Sequence, residues 1–444
     1  MLTRVNEPVT RKLEGIRIAD ASFPSPYASG LEYATPARGT WNIVHTGMLI
    51  PEAHEIFVCA ASCLRGVVLT AAEMHAEGRF STVEIKEHNL LDGDMEDLLI
   101  DGVSDIIKKL PKRPPAVLVY TSCVHHFAGC DLDMVYRELG NRFPDIDFTD
   151  CYMNPIMRKS GLTPDQIMRS RLYSLLKERE KKDTSVAIIG NDLPTREESE
   201  LLAILKQAGL KVHEITSCKT YEEYQEMAES SCYISYHAAA NAGGEMLSER
   251  LGGTHVYVPL SFDYDQIDAG FAKLTSALNI ALPDFTEKKL ACDALKKEAL
   301  ALIGDTPITI DYSYCPRPLS LAKMLLDAGF HVEKVYLDAI TGEEKSDYEY
   351  LQNHYPDLLL FPTVHSGMRF MAKRELGCGL AIGQKAAYFE NTNHFVNVVE
   401  GGGMFGYDAV FHTLELMMDA YLHEKDMRSL IQIKGMGCGC GGCS

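Results

Sequence analysis

Short apolar runs alternate along this chain with stretches whose apolar positions fall three and four apart, the rhythm of strand followed by helix. The first such unit follows an irregular Pro/Gly-containing stretch, Pro24 to Gly39, and the segment Trp41-Asn-Ile-Val-His45. Its spacing predicts a helix from about Ala60 to Ala76, a strand near Thr82–Ile85, a helix over Asp94–Leu110 and a buried strand Ala116-Val-Leu-Val-Tyr120. A second unit opens at Ser185–Gly190. It continues through helix Arg196–Ala208, strand Lys211–Ile215, strand Tyr233–Ser235, helix Ala240–Arg250 and strand His255–Val258. The third runs from Ile308–Tyr312 through helix Leu319–Ala328 and strands Val332–Leu337 and Asp357–Phe361, with Leu414–Leu422 part of a closing helix. Strands alternating with helices in this way predict an α/β protein of three Rossmann-like domains with mostly parallel sheets. We expect these domains over 1–180, 181–300 and 301–434, with a Gly/Cys tail over 435–444.

Onto this pattern the first unit places an unusual set of thiols. Cys59 and Cys63 are four apart, a spacing that would set both sulfurs on one helical face if the predicted helix holds them. Cys123 falls just past the buried strand, at the carboxyl edge where open α/β sheets bind ligands. Two thiolates on one face and a third at a strand end suit an iron–sulfur cluster or zinc. The alternative is that each is a small core hydrophobe beside Phe57, Val58 and Leu64. Cys130 precedes Asp131 at a predicted helix start, where the helix dipole would favour a thiolate and Asp131 would serve as a cap. Cys151, after the strand Asp147–Asp150, is expected in a loop at the same sheet edge. His125 and His126 could supply protons or ligands, but such a pair more often only pads a loop, and they stay outside the expected ligand set. Cys218, Cys232, Cys292 and Cys378 show no ligand spacing, and Cys315 follows a strand.

The tail Gly435-Met-Gly-Cys438-Gly-Cys440-Gly-Gly-Cys443 could let three thiolates converge on a soft ion, or could be a loose end with incidental thiols. Asn241-Ala-Gly243-Gly244 lacks a lysine and is better suited to close helix–sheet packing than to phosphate. Gly401-Gly-Gly403-Met-Phe-Gly406 suggests a lid or cavity wall.

Composition narrows the classes. The 13 cysteines, with no apolar leader in Met1–Gly15, fit a reduced, cytoplasmic chain in which thiols serve metal. No run is long and apolar enough for a bilayer, and a net charge of −19 argues against nucleic acid. The mixed-charge stretch Lys177–Lys182 reads as a solvated helix end. Gly190-Asn-Asp-Leu-Pro is not a dinucleotide fingerprint and no Walker A motif occurs, so neither NAD nor directly bound ATP is expected.

In its order of elements the chain resembles the nitrogenase component 1 family. Ser122-Cys123-Val-His-His-Phe-Ala-Gly129-Cys130-Asp131 is similar to that family's S-C-x(5)-G-D-D cluster element, with Cys130 replacing the first acidic residue. Cys63-Leu-Arg-Gly, preceded by Cys59, stands where the family has H-G-x-x-G-C, and His45-Thr-Gly47 resembles that motif's start. Glu87–Glu96, Met246–Gly252 and Gly406-Tyr-Asp408 resemble later family elements. The resemblance implies three domains around a central cleft and a cluster of 4Fe-4S type or larger near a subunit interface. It also implies an ATP-dependent iron protein as electron donor, and a homodimer or a heterodimer with a paralogous subunit. Cys59, Cys63 and Cys123 are the expected ligands, with Cys130, Cys151, Cys438, Cys440 and Cys443 as a second group. The chain departs from the nitrogenase α subunit near Ser235-Tyr-His237, where Cys232 is out of register, and at Phe405 in place of a histidine. It therefore resembles the simpler reductases or the cofactor-assembly scaffolds of the family more than a dinitrogenase. Three readings follow: a reductase component acting on a small molecule in the cleft, a non-catalytic scaffold for a metallocofactor, and a zinc-stabilised α/β binding protein.

Overall fold

The computed structural model describes residues 13–28, 30, 32–33, 35, 37, 42–153, 162–370 and 379–431. Cys378 and the tail cysteines Cys438, Cys440 and Cys443 lie outside them. In chain order the strands are β1 (Ile16–Arg17), β2 (His54–Ala60), β3 (Phe80–Ile85), β4 (Ala116–Ser122), β5 (Asp147–Met153), β6 (Lys182–Ile188) and β7 (Lys211–Glu214). Then follow β8 (Ser230–Ser235), β9 (Thr254–Tyr257), β10 (Ile308–Asp311), β11 (Val332–Tyr336), β12 (Leu359–Phe361), β13 (Leu380–Ile382) and β14 (Phe395–Val396). They form three sheets of order β3-β2-β4-β5, β7-β6-β8-β9 and β1-β12-β11-β10-β13-β14. Every pairing among named strands is parallel except that of β1 with β12. The fold class expected from the alternation is therefore the one found. The short β1 belongs to the third sheet, although it precedes the first unit in the chain.

The central strands follow from composition. β2 and β4 read His-Glu-Ile-Phe-Val-Cys-Ala and Ala-Val-Leu-Val-Tyr-Thr-Ser, nearly continuous runs without polar alternation. Such a run suits a strand covered on both faces, as parallel sheets require. One face of the first sheet packs on helix Met95–Lys109, whose Met95, Leu99, Ile100, Val103 and Ile107 are buried at helical spacing. At about 1.5–3 kcal/mol for each fully buried large side chain, that stripe outweighs what helix propensity supplies. The opposite face joins the second sheet through a shared core that includes Phe57, Tyr120, Cys151, Leu172, Tyr233 and Leu247. Another core runs on from the second sheet into the third, through Ile188, Ile234, Phe271, Ile310, Phe405 and Leu414.

Two local expectations change. Lys177–Lys181 forms an irregular connection rather than a helix end, and Lys181 Nζ donates to Ala228 O at 2.9 Å and to Tyr233 Oη. The closing helix is longer than the apolar spacing suggested, Tyr407–Leu422, because Gly406 at φ +73° turns the chain into it. Gly243 and Gly244 lie on helix Asn241–Leu251 where a Cβ would press on the Ser170 backbone and collide with the His255 ring. Close packing is what those glycines permit.

Candidate functional site

In each sheet the chain order reverses between two neighbouring strands, β2/β4, β6/β8 and β10/β13, and the loops leaving them diverge to opposite faces. The crevice at such a reversal is where α/β sheets bind ligands.

At the first reversal stand the three cysteines. Cys59 does not share a helix with Cys63. It is the penultimate residue of β2, opposite Glu84 of β3, and the helix Ala61–Glu73 begins only after Ala60. The reason is that the apolar run Ile56-Phe-Val-Cys-Ala is held by β3 and β4 on either side, and pairing overrides the helical spacing. Cys63 lies in the first turn of that helix and is exposed. Cys123 opens the helix Cys123–Ala128 directly after β4 and is half-buried. Cys59 itself is 1% exposed. Burial, reinforced by the neighbouring sulfurs of Cys63 and Cys123, pushes its thiol up to about 12. Both neighbours act on Cys59 electrostatically, Cys63 from the helix that follows β2 and Cys123 from the helix that follows β4.

The local sequence explains the arrangement. The Ser122 N–H donates to His125 Nδ1 at 3.1 Å, closing the start of the second helix, and Gly129 at φ +68° ends it after two turns. His125 and His126 are thus helical rather than in a loop; His125 is buried, and burial lowers its pKa. His45-Thr46-Gly47 closes the helix Ile43–Gly47, and a Cβ on Gly47 would strike Glu55 and Tyr120.

The second group of thiols is placed elsewhere. Cys130 lies ahead of the cap Asp131, which accepts the Met134 N–H at 2.9 Å to start helix Leu132–Arg142. The dipole therefore does not act on Cys130, and burial together with the Glu96 carboxylate raises its thiol. Cys151 is not in a loop. It sits inside β5 opposite Tyr120, fully buried, because β5 pairs with β4 as far as Met153. Cys232, Cys292 and Cys315 are buried and Cys218 is half-buried, all as free thiols.

Among the described residues, no group of three or more His, Cys, Asp or Glu side chains is arranged to hold a single metal ion. A cluster of several irons spreads its ligands around itself rather than onto one point, so the donor set to compare is one of separated sulfurs. Cys59, Cys63 and Cys123 fit that description. The inner sulfur is costly to ionise without a compensating cation, and the outermost faces solvent. Around them the elements leaving the same edge expose apolar side chains: Leu91 is 80% exposed and Phe127 71%, with Leu90, Val68 and Leu69 also open.

The second and third reversals meet in a site that composition did not reveal. Arg169, on helix Pro164–Arg171, is fully buried. It donates to Gly190 O at 2.6 Å, Asp192 Oδ2 at 2.7 Å, Asp165 Oδ2 at 3.2 Å and Glu400 Oε2 at 3.3 Å. Gly190 and Asp192 follow β6, His237 follows β8, and Glu400 precedes the glycine run tied to the loop after β10. Gly401, Gly402 and Gly403 all take positive φ, and the backbone bonds Gly401 N to Tyr314 O and Arg196 N to Gly403 O fix them as a wall. The only hint in the sequence was Gly190-Asn-Asp, a polar turn just past a buried strand.

Similarity to known proteins agrees with this architecture. A family model described as "Nitrogenase component 1 type Oxidoreductase" matches residues 44–397. The solved structure of nitrogenase Cp1 at pH 6.5 superposes with a TM-score of 0.65 and 13% sequence identity, over 89% of this chain and 94% of that one. Nitrogenase Cp1 at pH 5 gives 0.57 and 14%, over 92% and 90%. No curated protein matches the chain.

Proposed function

The chain belongs to the nitrogenase component 1 type oxidoreductases, and from that premise we propose that it is the substrate-reducing component of a two-part reductase. In this reading a separate ATP-hydrolysing iron protein delivers low-potential electrons, and a small molecule is reduced in the cleft between the domains. What supports it most is that Cys59, Cys63 and Cys123 all stand at the carboxyl edge of β2 and β4, on elements that also expose Val68, Leu69 and Phe127.

An iron–sulfur cluster bound there supplies a one-electron store at low potential. Cys59 would hold it from inside the sheet, Cys123 from the helix start just after β4, and Cys63 from the exposed helix turn. The surrounding protein sets the potential through burial. Leu90, Leu91 and Phe127 would cover the outer side by docking a second copy or a paralogue. The loop after β8 carries Tyr236 and His237, while Cys232 is enclosed within that strand. Phe405 packs against Tyr236 at 5.1 Å and Phe271 at 5.4 Å. Neither position offers the nitrogenase-type cofactor ligands, which supports a nitrogenase-like protein rather than a dinitrogenase.

The test is to reconstitute the chain without oxygen, add an iron protein and ATP, and follow its visible absorption. Bleaching on reduction and rapid recovery when a candidate substrate is added would establish a reductase. Loss of the chromophore to an added apo-protein, with no recovery by any substrate, would establish a scaffold instead.

A further inference from the structure

At the second reversal two carboxylates share one cation. Asp192 and Glu400 both reach the same guanidinium nitrogen of Arg169, at 2.7 and 3.3 Å, with side chains 6% and 11% exposed. Asp192 Oδ1 has no hydrogen-bond partner among the described residues. Glu400 adopts φ +51°, left-handed backbone that costs a non-glycine residue about 1 kcal/mol or more, yet it is fixed there by its N–H to Ser313 O at 2.8 Å.

We propose that Asp192 and Glu400 hold a single proton between them on Arg169, and that this pair supplies it to the substrate during reduction. The charges around the pair favour such sharing. Among the described residues Arg169 is the one cation paired with them, and Asp165 from its own helix already takes its Nε. His237 approaches from the loop after β8 but stays neutral, since burial and the Arg169 charge lower it to about 4. Asp165 is 44% exposed and keeps solvent contact, but Asp192 and Glu400 are both buried on one guanidinium nitrogen, which does not support both as carboxylates. Burial, with the Asp192 carboxylate alongside, raises Glu400 well above the usual range. Burial opposes charge on Asp192 too, but the Arg169 guanidinium overrides it and holds that group low. The proton is therefore assigned to Glu400, and Asp192 Oδ1 is the unpartnered acceptor open to it.

The inference deepens the reductase reading and rests on it for the electrons. Once two electrons, delivered one at a time from the reduced iron protein, have reached the substrate, the O–H bond of Glu400 breaks and its proton bonds to the substrate atom that has gained the pair. The doubly ionised pair left on Arg169 is the unfavourable state, and a proton returning from solvent relieves it. A second proton, from solvent, completes a two-electron reduction.

Infrared difference spectroscopy of the full chain at pH 7 needs neither substrate nor iron protein. Other buried carboxyls absorb too, so the reading is wild type minus variant. A neutral-acid C=O band that shifts in deuterium oxide should vanish in Glu400→Gln. It should also vanish in Asp192→Asn, where Glu400 ionises against Arg169. A difference spectrum without that band in both variants would overturn the shared proton, whatever the protein reduces. With iron protein and ATP, both variants should lose about tenfold or more in kcat, and the alkaline limb of the pH profile should move, at unchanged iron content. Band loss with full turnover would overturn delivery while leaving the reductase reading intact.

Discussion

Gly190→Ala tests how tightly the second reversal is built. Gly190 ends the run from β6 at φ +88°, and a Cβ there would collide with the methyl of Ala240, which is 1% exposed. Two costs add: a left-handed backbone for alanine, about 1–2 kcal/mol, and overpacking in a rigid contact, about 1–3 kcal/mol. Ala240→Gly alone removes one methyl and should cost about 1 kcal/mol. Combined, the two should be less harmful than their sum by about 1–3 kcal/mol, because the second relieves the collision but not the backbone strain. Urea unfolding followed by circular dichroism, with all four proteins compared at the same concentration, measures the coupling. Additivity within about 0.5 kcal/mol would refute the reasoning, since the loops carrying Asp192 and His237 would then not touch as described.

Other outcomes follow from single groups. Glu344 accepts the Leu319 N–H at 2.8 Å, and burial raises its carboxyl to about 8. Because the folded value is raised, its contribution is complete below about pH 4.5 and fades as pH climbs through about 8. At ~1.4 kcal/mol per pH unit the loss is at most about 5 kcal/mol, and Glu344→Gln should flatten the decline in unfolding midpoint over that window. Arg169→Met strands Asp192 and Glu400 without their cation and should cost about 3–5 kcal/mol, again by urea unfolding. Leu91→Asp with Phe127→Asp should lower the association state in analytical ultracentrifugation while leaving the thermal midpoint unchanged. A shift in midpoint with no change in mass would assign those side chains to the monomer instead.

Much of the fold could be read from the chain because the parallel strands are apolar throughout. Ala116–Tyr120, Ser185–Gly190 and Ile308–Tyr312 announce themselves by composition, and Cys123 was placed at a strand end for the right reason. Periodicity misled at Cys59, where a four-residue spacing looked helical but lateral pairing decided the matter. It also ended β5 too early, since Thr149-Asp-Cys-Tyr has the mixed polarity of an edge strand. The short strands β1, β13 and β14 hold two or three residues each, too few for any pattern, and exist because the third sheet offers them partners. The Arg169 site was hidden because its members lie at 169, 192, 237 and 400, ordinary surface residue types that only the fold makes buried.

The central claim is that Cys59, Cys63 and Cys123 hold iron and sulfide. It is tested most directly by counting both, beside a visible spectrum, in oxygen-free reconstituted wild type and Cys123→Ala. Wild-type protein should be brown and contain stoichiometric iron and sulfide, and the variant should have lost most of both while keeping its circular dichroism. Colourless, iron-poor wild type, or a Cys123→Ala protein with undiminished iron, would contradict it.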